Sequence, residues 1–218
     1  MMKKCLAWVK KYWSRSVKDW KMVLFSHETH LFVQGHKSNV VGWSEGETLR
    51  LHHIQQTIKH PFKQMFWGFF MTNSTGNLIS LKGMINSVKC IEILLSKIVP
   101  FMETFDSTFQ HDLVPCHTSK FVQTFMQENK IKVLDWPGNS PDWNSIENLW
   151  HILKKRLAKM NCTSAEQMIE NAMQVWFHDD DVKSMCTTQV ESIQDVLKRS
   201  FLLKEDILHS NIEIYQST

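Results

Sequence analysis

Between Ile146 and Leu157 the apolar residues Ile146, Leu149, Trp150, Leu153 and Leu157 recur at i, i+3, i+4, i+7 and i+11. That spacing falls on one face of an α-helix, and so wide an apolar face must be buried against another element. The chain is thereby committed to a layered fold in which this helix covers a core. The covered layer is legible upstream. Lys21–Ser26 is short, β-rich and apolar on both faces, the pattern of a central buried strand. Thr29–Gln34 follows closely enough to be its hairpin partner. Lys63–Met71 and Asn77–Lys82 flank the turn-rich Thr72–Gly76 and predict a second hairpin.

The remaining pattern alternates. Ser87–Met102 places Val88, Ile91, Leu94, Leu95 and Ile98 at helical spacing. A short strand over Thr108–Asp112, a helix over Ser119–Asn129 and a short strand over Ile131–Leu134 follow. Thr163 with Glu166 reads as a capping box opening a helix through Trp176, and Asp179–Ser200 as a further helix. Hairpins, then α/β alternation, then helices predict one mixed α/β domain. Residues 36–62, polar and His-rich with Gly42 and Gly46, read as an excursion from the sheet.

Composition narrows the class. At 218 residues and 43% hydrophobic, the chain is globular and of a size for one large domain or a domain with an appendage. No apolar run approaches the ~18 residues of a membrane span, and the Met-Met-Lys-Lys-Cys start does not read as a signal peptide. Cys5, Cys90, Cys116, Cys162 and Cys186 are odd in number and widely spaced, which argues against a disulfide framework or a zinc ribbon. The net charge of +3 decides nothing about partners. The first twenty residues are locally basic, with Trp8, Tyr12, Trp13 and Trp20 interleaved. They read either as a helical lead-in packing its aromatics on the domain or as an amphipathic helix beside a phosphate backbone, the former preferred.

Two segments carry chemistry. In Phe109–Thr118 (FQHDLVPCHT) a strand ends in the carboxylate of Asp112; in Trp136–Trp150 (WPGNSPDWNSIENLW) a turn feeds the striped helix. Thirty-four residues lie between Asp112 and Glu147. Glu147 stands about 100° around the helix from Ile146, at the border of the buried face, where a carboxylate can look into a cleft. Cys116 and His117 read as a packed thiol and a turn-ordering imidazole, and His52, His53 and His60 as loop residues.

These segments, in this order and at this spacing, closely resemble the catalytic domain of mariner/Tc-family DNA transposases. Trp20–Ser26, Met65–Gly68 and the Lys154–Leu157 stretch extend the resemblance over nearly the whole chain. It implies a ribonuclease-H-like mixed sheet flanked by helices with extra C-terminal helices. The implied division is a basic lead-in over 1–20, the catalytic domain over 21–160 with 36–62 inserted, and helices over 161–218. It also implies a carboxylate triad holding two Mg²⁺ or Mn²⁺ ions, which clamp the attacking and leaving oxygens of a phosphodiester. Asp112 and Glu147 would be metal ligands and catalytic residues. DNA as partner, a homodimer paired through the excursion and a nuclear location follow on the same ground, while the lack of a long apolar run leads to the expectation of no membrane.

The first member of the triad departs from the family. Where the family reads L-F-S-D-E-S, this chain has Leu24-Phe25-Ser26-His27-Glu28-Thr29, so His27 occupies the position of the first aspartate. A neutral imidazole has one lone pair, cannot bridge two ions and brings no negative charge. Glu28 leaves the strand on the opposite face and is expected to be a poor replacement. Metal binding and cleavage are therefore expected to be impaired. Trp143, Ser145 and Leu113-Val114 are smaller departures. The family's paired helix-turn-helix modules have no room in the roughly twenty residues before Lys21, so DNA contact is expected through the cleft and basic surface. The alternative function is a non-catalytic nucleic-acid-binding or self-associating module derived from a transposase.

Overall fold

The computed structural model describes residues 2–32, 62–137, 143–160 and 162–216. A four-stranded sheet runs in the order β3-β2-β1-β4, with β1 Val23–Phe32, β2 Lys63–Met71, β3 Ser74–Leu81 and β4 Thr108–Gln110. β1 is antiparallel to β2 and parallel to β4. It is central because both of its faces are apolar where β4 pairs with it. Val23 and Phe25 enter one core, Leu24 the other. β2 divides in the same way, with Phe66 and Phe70 on the first face and Trp67, Phe69 and Met71 on the second.

The first face is covered by α7 (Ile146–Leu157), α8 (Ala165–His178) and α9 (Asp180–Gln216). Every residue of the Ile146–Leu157 stripe is buried. Trp150 stacks on Trp176 with ring centroids 4.7 Å apart. Its ring also lies over Gly68, where a β-carbon would stand 2.9 Å from Trp150 Cη2. That close approach seats α7 on the sheet. The second face is covered by α3 (Ser87–Ile93) and α6 (Lys120–Glu128). A π-turn over Leu94–Ile98 joins α3 to α4 (Val99–Thr104), so the expected long helix continues with one wide turn. Pro100, in the first turn of α4, has no N–H for a regular helical bond, and the wide turn accommodates it. The buried side of this run is Cys90, Ile93, Leu94 and Ile98, leaving Val88 and Leu95 exposed.

Three local expectations change. Thr29–Phe32 is not a hairpin partner of Lys21–Ser26: β1 is one ten-residue strand, paired with β2 from Phe25 to Phe32. Nothing between Ser26 and Thr29 supplies a turn residue, so the strand runs on. The strand expected over Thr108–Asp112 ends at Gln110, and Ile131–Leu134 meets it only through a bridge between Phe109 and Val133. The cap of α8 is Ser164 rather than Thr163. Ser164 accepts from the Gln167 N–H, while the Thr163 hydroxyl donates to the Gln167 side chain. The expected hairpin of β2 and β3 is present and turns through Asn73 at φ 68°, a conformation that Asn tolerates.

At the N-terminus α1 (Met2–Tyr12) packs its aromatics inward, ahead of the short α2 (Val17–Trp20). Trp8 stacks on Trp143 at 5.3 Å, meets Trp136 edge-on at 5.1 Å, and donates through its indole N–H to the Asp135 carbonyl. The excursion over 36–62 lies outside the described residues but for Phe62. Among the described residues no helix is long and apolar enough to cross a membrane.

Gly68→Ala is expected to lower the free energy of unfolding by about 1–3 kcal/mol in urea titration, because the new methyl meets Trp150. In a Trp150→Phe background that loss should shrink, giving a measurable coupling in the double-mutant cycle. An unchanged loss would assign the effect to the strand instead.

Candidate active site

β4 is the short strand of the sheet, and its end sets up the site. It pairs with β1 only over Val23–Phe25. The next rung is taken by a side chain, since Gln110 Oε1 accepts the Ser26 N–H at 3.2 Å and the Ser26 hydroxyl donates to the Gln110 carbonyl at 2.8 Å. The chain then leaves the sheet, and Asp112 turns back toward the uncovered edge of β1. Pro115–Thr118 forms a one-turn helix, α5, whose His117 donates through Nδ1 to Asp112 Oδ1 at 2.8 Å. On the other face of the sheet, the docking of Trp150 places Glu147 in the first turn of α7, where a carboxylate also suits the helix dipole. Ser145 makes no side-chain cap there, and the Glu147 carboxylate faces His27.

His27, Asp112 and Glu147 are brought together. His27 Nε2 lies 3.1 Å from Glu147 Oε1, and its Nδ1 lies 3.5 Å from Asp112 Oδ2. The imidazole thus stands between the two carboxylates. Two further residues join, both discounted by sequence reasoning. Glu28 does leave the opposite face of β1, but β4 no longer flanks the strand at that point. Its carboxylate comes round the edge, with Oε2 3.7 Å from His27 Nδ1 and Oε1 3.4 Å from His117 Nε2. His117 itself, with 8% of its side chain exposed, links Asp112 to Glu28. The signal for His117 was its place five residues after a strand-end acid. Alternation of faces concealed Glu28.

The electrostatics follow from three carboxylates around two imidazoles. Burial works against charge on His27, but Asp112, Glu147 and Glu28 outweigh it and hold its pKa up at about 9. Burial likewise opposes charge on His117, and its contacts with Asp112, Cys90 and Glu28 raise its pKa well above the ordinary histidine range. Asp112 is desolvated too, yet the bonds from His117 and His27 pull its carboxyl far below the usual range. The bond from His27 draws Glu147 down as well. His27, Glu28 and Asp112 each offer one ligand atom, and these atoms lie within 4.8 Å of one another. On the outer side of α7, Lys154 and Lys155 are exposed, whereas Arg156 is committed to Asp179 at 2.7 Å and to Asp181.

Comparison with known proteins places this geometry. The model of the DDE superfamily endonuclease family matches residues 43–169. The chain is 26% identical to the Tcb1 transposable element transposase of Caenorhabditis briggsae over 88% of its own length and 70% of that protein. It is 27% identical to the Tc1 transposable element transposase of Caenorhabditis elegans over 78% of its length and 64% of that protein. Among solved structures, the Mos1 transposase paired-end complex with the left transposon end superimposes with a TM-score of 0.80 at 16% identity, over 93% of this chain and 62% of that one. Mos1 paired-end complexes solved with Mn and with Mg give TM-scores of 0.76. The ribonuclease-H-like transposase fold is thereby established, with the chain spanning about two thirds of these relatives.

Replacing the cation among these acids should destabilise the metal-free protein. His27→Asp, unfolded by urea in EDTA, is expected to lose on the order of 1–3 kcal/mol, because a fourth carboxylate stands where an imidazolium was. Adding Asp112→Asn to that variant should recover part of the loss. An equally stable His27→Asp protein would show that the imidazole does not neutralise the cluster.

Proposed function

The chain belongs to the DDE superfamily endonuclease family, and from that premise we propose that it is the catalytic-domain portion of a Tc1/mariner-type DNA transposase disabled for strand cleavage at His27. One observation carries the reading. The imidazole of His27 fills the space between Asp112 and Glu147 and makes a contact with each.

Divalent metal is the cofactor expected from the family. Two-metal phosphoryl transfer needs carboxylate oxygens that can bridge a pair of hard ions. Here the bridging position holds a nitrogen ligand, and Glu147 is engaged with His27 Nε2. The residues present do not fit a pair of Mg²⁺ ions. The scaffold around them is retained: the end of β4, the first turn of α7 and the support of Asp112 by His117 all converge on one point. A carboxylate at position 27 would restore the acidic set without moving any backbone.

DNA is the proposed partner, engaged through exposed basic residues such as Lys154 and Lys155 beside the site. Self-association through residues 36–62 and a nuclear location are proposed on the family resemblance. A second reading rests on the same imidazole: with cleavage lost, the fold persists as a nucleic-acid-binding or self-associating module.

The test is plasmid nicking in Mg²⁺ and in Mn²⁺. The parent chain is expected to nick at least about a hundredfold more slowly than His27→Asp, and His27→Asp with Glu147→Gln should be inactive again. Robust Mg²⁺-dependent nicking by the parent would overturn the reading. Salt-sensitive DNA affinity in the parent without nicking would favour the binding module.

A further inference from the structure

Glu147 stands at the start of a helix that does not hold its own start. Ser145 gives α7 no side-chain cap, and the entry is a turn in which the Glu147 N–H donates to the Asn144 carbonyl at 3.0 Å. A helix end without a cap of its own is held by its surroundings. Trp150, lying over Gly68, fixes α7 about one turn beyond Glu147. The support on the other side of Glu147 comes from the N-terminal helix. We infer that Trp8 of α1 is a positioning residue for Glu147: by stacking on Trp143 it sets where the first turn of α7 begins, and so where this carboxylate meets His27.

Three observations carry it. First, one indole holds both described ends of the connection between the sheet edge and α7. Trp8 stacks on Trp143 with ring centroids 5.3 Å apart and planes 20° from parallel, and it meets Trp136 edge-on at 5.1 Å and 73°. Both are favoured aromatic geometries. All three rings are buried. Second, Trp8 is itself tied down. Its indole N–H donates to the Asp135 carbonyl, and Lys11, about one turn along α1, pairs with Asp135 Oδ2 at 2.6 Å. Lys132 and Leu134 turn their backbone groups to Phe109, so alternation sends those of Asp135 outward, to α1. Tyr12 and Trp20 close around the same ring at 4.8 Å and 6.3 Å.

Third, the path from Trp143 to Glu147 is short and buried. Asn144 and Ser145 lie between them, both buried, and the Asn144 carbonyl is the one that holds the Glu147 N–H. A displacement of the Trp143 ring is thereby carried into the turn that bears Glu147, whose Oε1 lies 3.1 Å from His27 Nε2. The stack also accounts for a departure in the sequence. The transposase pattern has leucine where this chain has Trp143, and leucine has no ring face for an indole to stack on.

Only the consequence for cleavage rests on the functional reading; the test uses neither DNA nor metal, so the two can fail separately. In the full chain at fixed pH, the His27 imidazole carbon–proton resonance is assigned by its loss in His27→Asp. Glu147→Gln calibrates how far that resonance moves when the Glu147 contact changes. Trp8→Leu is expected to displace it by at least about half that amount, and Trp8→Phe, which keeps a ring against Trp143, by clearly less. Trp143→Leu removes the same stack from the other side and should match Trp8→Leu, so the double variant should add little. It also decides the matter should Trp8→Leu not fold. Ile98→Val, in the core on the opposite face of the sheet, controls for general loosening and should leave the resonance in place. Urea unfolding identifies the folded variants. An unmoved His27 resonance in a folded stack variant, displacements that sum fully in the double variant, or an equal displacement in Ile98→Val would each overturn the assignment.

Discussion

Carboxylates gathered into a half-buried cleft repel one another unless positive charge stands among them. Glu28, Asp112 and Glu147 are such a set, drawn from a strand, a strand end and a helix start. In this chain the positive charge comes from the protein itself. His27 lies between Asp112 and Glu147, and His117 links Asp112 to Glu28. The raised basicity of both imidazoles and the lowered basicity of Asp112 express one fact: the acids are neutralised from within. The two imidazoles supply within the site the positive charge that the three acids call for.

The elements that converge on the cluster are held by contacts of their own. α7 is held by Trp150 against Gly68, the cross-strand neighbour of His27, and against Trp176. The end of β4 is fixed by Gln110 bonding to Ser26, and Asp112 by His117. None of these contacts involves the side chain at position 27.

Much of this was legible in the residues. The stripe from Ile146 to Leu157 named its helix and its buried face, and the doubly apolar Lys21–Ser26 named the central strand. Asp112 and Glu147 stand out because long motifs surround them, and the structure brings each of them to His27. What escaped has physical reasons. The continuation of β1 through Thr29 is masked because its polar His27-Glu28 pair interrupts the apolar pattern, although it holds no turn residue. Glu28 was discounted because alternation is a rule for the interior of a sheet, and at an edge left open by a short neighbour a long side chain can come round. The shift of the α8 cap from Thr163 to Ser164 reflects two hydroxyls in sequence, either of which can cap.

The central claim is that a single imidazole has changed the coordination of an otherwise intact site. Crystal structures of the parent chain and of His27→Asp, each soaked in Mg²⁺, test it most directly. The account predicts that β1, the end of β4 and the first turn of α7 superimpose within coordinate error, and that a pair of Mg²⁺ ions appears only in His27→Asp. A Mg²⁺ pair bound by the parent, or a backbone that has shifted between the two, would contradict it.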